Sequence, residues 1–454
     1  MVNDVRALLQ EAAATPPGDD TDLSAVLRAG RDRVRCRRRR TIGGLGLASV
    51  AVAGIVALTS ITGTVDGGKD GPAGSRVPTP EGPVLSLREA RQAVAGKQYD
   101  VLSSYANKDL NAANGEYYAG VSDDGLILFQ DGPKGAHNRI RWALLDPQTG
   151  EKDWLPAHAI EANQRPIRVG ADRIVIVTDV DGLGSGLRAE VFDRRTRAWS
   201  TLSWPGLPPS AEMLSAQVAP DGRLYVGVPA HTSEPPPGGW PTQPDGDAED
   251  AGAGGDTYEL WSASLTDASD VRDEGLVVGS FDFTRDSLVW SDATNGINRR
   301  IHVRDLATGV ERDFDPRSGA RCNLLGFGAT ADRIVLSQYC GTYANGRDDR
   351  VQILTADGRP VTTIQGDDIG GYIADAGTGD GHLVEIGSHF GDTEGTYVYD
   401  LDTDRLWQVT DKTAAWDVSG PTPRHRLLWG TPYGAGAGPD GMDQGATQWL
   451  VRWR

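Results

Sequence analysis

One type of segment recurs seven times along the chain, and this repeat restricts the fold more than any other feature of the sequence. Each copy has a polar turn, usually with Asp, and then about four residues typical of a β-strand, as in VSDDGLILFQD from Val121. Successive turns are 48, 49, 65, 46, 48 and 44 residues apart. The equivalent turn residues are Asp124, Asp172, Asp221, Asp286, Asp332, Asp380 and Arg424.

A second type of segment, with two strands joined by a turn, follows each of the first six copies. RWALLDPQTGEKDWL from Arg141 and IHVRDLATGVERDF from Ile301 are examples. Each unit therefore contributes four strands, and four-stranded units repeated about every 40–50 residues are typical of a β-propeller. We predict an all-β fold, with a seven-bladed β-propeller over residues 99–454.

The two ends of the repeat region predict how the ring closes. The last unit stops after its third strand, TQWLVRWR, and an extended stretch, YDVLSSY at residues 99–105, precedes the first unit. We expect residues 99–105 to complete the last blade, because closing the ring leaves no strand edge unpaired. Residues 231–256 are rich in Pro, Gly and Asp and lengthen the third unit, so we expect a mobile insertion there.

The N-terminal region has the pattern of a membrane anchor. Residues 41–62 contain no charged residue and no Pro, and 22 helical residues span about 33 Å, enough for a bilayer core of about 30 Å. Seven of the ten residues from Arg31 to Arg40 are Arg. The positive-inside rule therefore predicts a single-pass cell-membrane protein with a cytoplasmic N-terminus and residues 63–454 outside. A cleaved signal peptide is the alternative.

The segments on either side of the predicted anchor are too short to fold alone. Residues 1–40 indicate a cytoplasmic helical segment that could contact a cytoplasmic partner. Residues 63–98 indicate a Pro/Gly-rich linker. Within it, Ser86 and Glu89 of SLRE predict a capping box that opens a short helix ending near Ala95.

Charge excludes a nucleic-acid-binding role for the predicted propeller. The chain has a net charge of −18, and residues 1–65 carry nine Arg against six Asp and Glu, so the remainder carries about −21. Phosphate contacts need clustered Lys and Arg, and this body is strongly acidic. The basic run before residue 41 is local, as a topology signal is.

The three cysteines fit this arrangement across a membrane. Cys322 and Cys340 are 18 residues apart in the region predicted to be exported, where oxidising conditions allow a disulfide. Two adjacent antiparallel strands would bring them together, so we predict a disulfide between them. Cys36 lies on the reducing side and stays a thiol.

The unit VAPDGRLYVGV from Val218 carries a Pro-Asp-Gly turn before an apolar strand, and here the chain resembles the TolB-like propellers. The ring of units over residues 99–454 is also similar to the WD-repeat class. The resemblance implies a propeller fold and the binding of other molecules. It carries over no functional residue, because only one unit has the full Pro-Asp-Gly turn.

The overall plan also resembles single-span bacterial anti-sigma and sensor proteins. A zinc-type anti-sigma domain needs a His and a Cys-x-x-Cys, whereas residues 1–62 have no His and one Cys. Binding of a sigma factor by residues 1–40 is therefore in doubt.

We found no catalytic, cofactor or metal motif. His382 and His389 are the nearest pair of histidines, and Asp400, Asp402 and Asp404 form a D-x-D-x-D stretch that lacks the Gly of a calcium loop. Solvated turn carboxylates and strand-end histidines explain both patterns. The glycines of a G-x-G-x-x-G pattern at residues 436–441 lie in a predicted loop, where no helix follows to bind a nucleotide.

Trp240 is the one residue that suggests a ligand contact, because it is a large apolar side chain within the Pro-rich insertion. We expect a membrane-anchored extracytoplasmic propeller that binds a protein, peptide or glycan, is not an enzyme and needs no cofactor. The alternatives are a signalling protein of the anti-sigma or sensor kind, and a lyase or hydrolase with its site at the mouth of the channel.

Overall fold

The computed structural model describes residues 81–107, 116–131, 141–158, 163–179, 186–232, 255–294, 296, 299–318, 322–342, 346–366, 369–370, 381–388, 391–413, 420–432 and 446–454. These residues form seven sheets, the blades of an all-β propeller, and the strands that make up each blade pair antiparallel. From the inner to the outer strand, the sheets are blade 1 (Tyr117–Val121, Ile127–Asp131, Arg141–Leu145, Lys152–Trp154), blade 2 (Asn163–Val169, Arg173–Asp179, Leu187–Asp193, Ala198–Ser203), blade 3 (Gln217–Val218, Leu224–His231, Thr257–Ala263, Val271–Val278), blade 4 (Phe281–Phe283, Ser287–Ser291, Ile301–Asp305, Glu311–Phe314), blade 5 (Cys322–Ala329, Arg333–Thr342, Gly346–Thr355, Pro360–Gly366), blade 6 (Ile369–Gly370, Leu383–Ser388, Gly395–Asp400, Arg405–Thr410) and blade 7 (Arg426–Pro432, Ala446–Trp453, Tyr99–Asn107).

Within a blade, burial falls from the inner strands to the outer one. Ile174, Ile176 and Val177 in the second strand of blade 2 are 0% exposed, because both faces of this strand pack against neighbouring blades. The fourth strand, Ala198–Ser203, is half-buried or exposed at every position. This difference explains why the second strands read as continuous apolar runs in the sequence.

Seven separate apolar clusters hold the blades together, one at each boundary between neighbours. The cluster between blades 7 and 1 joins Leu428 and Leu450 to Tyr118 and Phe129. The six other clusters occupy the remaining boundaries in turn around the molecule. Because every boundary has its own cluster, including the one between the last blade and the first, the seven-bladed ring is closed.

The last blade takes a strand from the start of the propeller. Tyr99–Asn107 pairs antiparallel with Ala446–Trp453, so a strand that precedes blade 1 becomes the outermost described strand of blade 7. Tyr99 packs edge-on against Trp429 and stacks over Trp453, with ring centroids 5.4 Å and 6.2 Å apart.

The segment before this strand differs from our prediction. The expected helix ending near Ala95 is wrong: Ser86 and Glu89 do form a capping box, but it opens only a 3-10 turn, Leu87–Glu89. Val84–Ser86 and Arg91–Gln92 instead add parallel strands to the outer edges of blades 5 and 6. The free backbone groups on these edges accept the segment, and Leu87, 2% exposed, fills the gap between the two blades.

The other described helical turns are Met213–Ser215 and Gly391–Thr393. Over the part of the chain given above, no helix has the length and apolar character to cross a bilayer. Residues 1–40 and the predicted anchor at 41–62 lie outside the described residues.

Candidate functional site

The short turns that follow the first and third strands of each blade lie on one face of the ring, which we call the turn face. Two cavities open on this face. A larger one of about 580 Å³ lies between blades 7 and 1, and a smaller one of about 210 Å³ lies where the inner strands of blades 1 to 4 end around the central axis. Asp123 and Pro423 line both cavities, so the two cavities are adjacent.

Arginines dominate the larger cavity, which we call the arginine recess. Four arginines line it, together with three aspartates: Arg424, Arg426, Arg452 and Arg454, and Asp100, Asp123 and Asp124. All four arginines belong to blade 7 or to the turns at its ends, so a single sheet holds them in register. In a chain with a net charge of −18, the lining carries an excess of one positive charge, four arginines against three aspartates.

The register across blade 7 explains how these charges are shared. Arg426 lies directly opposite Arg452, and Arg452 lies directly opposite Asp100. Arg452 donates to Asp100 over 2.8 Å, and Arg454 donates to both oxygens of the same carboxylate. The hydrogen bonds from Arg454 and Arg452 lower the pKa of Asp100 to about 2. The carboxylate of Asp100 therefore forms ion pairs with both Arg452 and Arg454.

Arg426 is left without an acidic partner among the residues that the structure describes. Its side chain is half-buried, and no described residue forms a hydrogen bond or ion pair with its guanidinium. Burial, and then the charge of Arg452, lower the pKa of Arg426. Like charges directly opposite each other destabilise an antiparallel pair, and Arg426 and Arg452 are such a pair.

The smaller cavity holds a buried carboxyl group. Asp282 is 5% exposed and accepts hydrogen bonds from the backbone N–H groups of Phe283 and Ala329, both over 2.7 Å. The second bond links blade 4 to blade 5. Burial raises the pKa of Asp282 to about 7, although these hydrogen bonds and the nearby Arg165 act in the opposite direction.

Two histidines meet beside the arginine recess. The rings of His382 and His425 lie at the boundary of blades 6 and 7, with their centroids 4.1 Å apart. Burial, and then the neighbouring His425, lower the pKa of His382 to about 4. Asp400, the last residue of the third strand of blade 6, and Asp402, in the turn that follows, lie next to His382. Among the described residues, this is the one group of His and acidic side chains close enough to hold a metal ion.

The residues that we singled out from the sequence lie elsewhere. Cys322 and Cys340 face each other on the first two strands of blade 5 and form a disulfide, at the face opposite the turn face. Trp240 lies outside the described residues, as do His389 and the glycines at 436–441. The described strand ends that border the insertion, His231 and Thr257, are also on the opposite face.

The sequence pattern missed the recess and the histidine pair because both depend on contacts between blades. The sequence pattern pairs His382 only with His389, gives Arg424 as a turn residue and does not single out Arg426. The one available signal was the seventh repeat, PTPRHRLLWGT, where Arg-His-Arg replaces the acidic turn of the other units.

No protein-family model and no curated protein matches the chain. Among solved structures, the chain is similar to a prolyl endopeptidase at 15% identity and a TM-score of 0.44, over 80% of this chain and 48% of that one. It is also similar to the β-propeller domain of the Trilobed protease from Pyrococcus furiosus (12%, TM-score 0.45, 74% and 95%) and to TolB from Acinetobacter baumannii (13%, TM-score 0.33, 69% and 77%). At these identities the similarities concern the fold alone. The class that the seven blades themselves define is the β-propeller.

One prediction needs correction in view of these similarities. We expected from the missing motifs that the chain is not an enzyme, and this is wrong as stated. Several of the similar propellers belong to peptidases, among them the prolyl endopeptidase and an acylaminoacyl peptidase from Pyrococcus horikoshii. The absence of a catalytic motif therefore does not separate this chain from enzymes, and the fold by itself assigns no activity.

Proposed function

We propose that the chain is a membrane-anchored, extracytoplasmic propeller whose arginine recess binds a peptide or protein segment carrying a carboxylate. The observation that carries this proposal is the environment of the Arg426 side chain. Its half-buried guanidinium lacks an acidic partner among the described residues, lies opposite a second arginine and faces a cavity of about 580 Å³. A guanidinium is well suited to a planar carboxylate, which it binds through two parallel hydrogen bonds.

The chemistry of the walls favours a peptide. Trp453, Pro423 and Gly125 supply apolar and backbone surface around the arginines, and the smaller cavity near the central axis adjoins the recess. An extended acidic segment could place its carboxylate against Arg426 and its backbone along this surface. The net charge of −18 disfavours the approach of anions to the protein as a whole, so recognition of a carboxylate would depend on the arginines of the recess.

The proposed location rests on two independent features. The cluster of Arg before the uncharged residues 41–62 predicts that the propeller lies outside the membrane. The Cys322–Cys340 disulfide also supports a location of the propeller outside the cytoplasm, because disulfides persist in oxidising compartments and are rare in the cytosol.

The test is binding of the full-length chain to a peptide array in which each Asp- or Glu-containing peptide has an Asn or Gln counterpart. We expect binding to peptides of the acidic set and a loss of about 30-fold or more in affinity for Arg426→Ala, as expected for a charge that loses its buried partner. Arg359→Ala is the matched control, because Arg359 is an exposed arginine on the same face, paired with Asp357. Equal binding of acidic and amide peptides would refute the proposal.

A further inference from the structure

His382 and His425 occupy the same position in consecutive blades, directly before the second strand. In each blade the backbone carbonyl of this residue accepts a hydrogen bond from the end of the third strand, from the N–H of Leu401 over 2.9 Å and of Trp453 over 2.8 Å. Because the two positions are equivalent and the blades are neighbours, the two rings meet. In blades 2 and 4 the residue with this carbonyl contact is an aspartate, namely Asp172 and Asp286.

The imidazole of His382 is buried but not engaged. Its side chain is 5% exposed, and its Nδ1 atom is buried without a hydrogen-bond partner among the described residues. Its Nε2 atom points towards Asp402 but lies 4.0 Å from Oδ2, beyond hydrogen-bond distance. The Nδ1 atom of His425 is also buried and without a partner in this part of the chain. A neutral imidazole has one donor and one acceptor, and leaving them unused in the interior is costly.

The carboxylates of Asp400 and Asp402 complete the cluster. One ligand atom each from His382, Asp400 and Asp402 lies within 4.8 Å of the others. Two ligands on a tetrahedral zinc ion lie about 3.3 Å apart, so His382 and Asp402 need to approach by less than about 1 Å. Asp402 is 52% exposed and can make this movement. Asp400 is fixed, because its Oδ1 accepts the N–H groups of Asp402 and Thr403 and its Oδ2 accepts the indole N–H of Trp453 over 3.3 Å.

Arg424 is the competitor for this position. Its Nη2 atom donates to Oδ2 of Asp402 over 3.0 Å, and its side chain is 42% exposed. A cation bound between Asp402 and His382 would repel the guanidinium, which is free to turn into solvent. Arg424 thus satisfies Asp402 when no ion is bound and weakens the binding of one.

From this arrangement we propose that His382, Asp400 and Asp402, with His425 beside them, bind a divalent transition-metal ion of the Zn²⁺ type. Imidazole nitrogen and carboxylate oxygen are ligands that zinc accepts, whereas Ca²⁺ requires six or more oxygens. The site lies on the wall of the arginine recess, since His425 and Arg424 line that cavity. The proposal does not depend on the identity, or the existence, of a peptide ligand.

The test uses the full-length chain, purified without a polyhistidine tag and treated with a chelator. Calorimetric titration with ZnCl₂ measures affinity and stoichiometry, and Co²⁺ gives a visible absorption band that reports the coordination number. We expect one saturable Zn²⁺ per chain and a Co²⁺ spectrum typical of four or five ligands. CaCl₂ in the same titration should give no comparable heat.

Four variants assign the site. His382→Gln and Asp402→Asn should each weaken Zn²⁺ binding by about 100-fold or more, because outer-shell partners alone are worth about 10- to 100-fold. Arg424→Gln should tighten binding, an effect that a purely structural role for the cluster does not produce. Asp305→Asn is the matched control: Asp305 accepts the same two turn hydrogen bonds in blade 4 as Asp400 does in blade 6, and binding should be unchanged.

Three results would overturn the proposal. The first is the absence of saturable Zn²⁺ binding by the wild-type chain while its circular dichroism shows it folded. The second is Zn²⁺ binding that His382→Gln and Asp402→Asn leave intact, which would place the ion elsewhere. The third is Ca²⁺ binding as tight as Zn²⁺ binding, which would indicate an oxygen-only site that does not use the histidine.

Discussion

The side-chain amide of Gln448, in blade 7, accepts a hydrogen bond from the backbone N–H of Tyr118, in blade 1, over 2.7 Å. The same amide donates to the backbone carbonyl of Glu116 over 2.8 Å. Gln448 is 0% exposed. One side chain near the end of the chain thus satisfies two backbone groups at the start of the ring, where the first and last blades meet.

Replacing this side chain should weaken ring closure. Gln448→Ala leaves the buried N–H of Tyr118 without this partner, which costs about 1–3 kcal/mol, and also opens a cavity in the interior. The carbonyl of Glu116 keeps a donor, the side-chain amide of Asn107 over 3.3 Å. We expect the free energy of unfolding, measured by chemical denaturation, to fall by about 2–4 kcal/mol. Gln148→Ala, in an exposed turn of blade 1, is the control and should change it by less than about 0.5 kcal/mol. Similar values for the two variants would argue against this role.

The segment before the ring should behave as part of the propeller. Leu87 is 2% exposed and packs between blades 5 and 6, so Leu87→Ala should cost about 2–4 kcal/mol of unfolding free energy. Val94, a few residues away, is 43% exposed, and Val94→Ala should have little effect. Thermal and chemical denaturation of both variants check this. If Leu87→Ala were as stable as the wild type, the segment would not be docked in solution.

The disulfide should contribute to stability through the unfolded chain. Cys322 and Cys340 are separated by 18 residues, and closing a loop of this size stabilises a fold by about 3 kcal/mol. We expect the Cys322→Ala, Cys340→Ala double variant to lose about this much. Thiol labelling of the denatured, unreduced wild-type chain should find a single thiol, that of Cys36. Three reactive thiols in chains purified from the membrane would contradict the assignment.

Asp282 should give stability a dependence on pH. Its pKa is about 7 in the folded chain against 3.8 normally, so between these values the folded state holds a proton that the unfolded state has lost. The contribution of this group therefore falls as pH rises from about 4 to 7, by up to roughly 4 kcal/mol, and is constant above. Denaturation at several pH values should show a shallower slope for Asp282→Asn. The exposed control Asp286→Asn should keep the slope of the wild type.

The repeat pattern was sufficient to predict the all-β, seven-bladed ring, because strand periodicity and turn residues are local properties. Each of the seven turn positions belongs to one blade, so the spacing of the turns gives the number of blades directly. The parallel strands Val84–Ser86 and Arg91–Gln92 could not be predicted, since they exist only because the outer edges of blades 5 and 6 offer free backbone groups. The capping box at Ser86 was correctly recognised, but its local signal does not determine how far the helix continues.

The candidate site was much less predictable. Arg426, Arg452 and Asp100 are brought opposite each other by strand register, and Asp100 comes from the other end of the propeller sequence. His382 and His425 likewise meet only because consecutive blades are neighbours. The sequence drew attention instead to Trp240, an isolated aromatic residue whose role stays a prediction.

A charge exchange between the recess and its ligand tests the central proposal most directly. An acidic peptide selected on the wild-type chain is titrated against Arg426→Glu, and then a version of the peptide with Lys in place of its acidic residue is titrated against the same variant. We predict that Arg426→Glu abolishes binding of the acidic peptide and that the Lys peptide restores it to this variant alone. Unchanged binding of the acidic peptide to Arg426→Glu would show that the arginine recess is not the binding site.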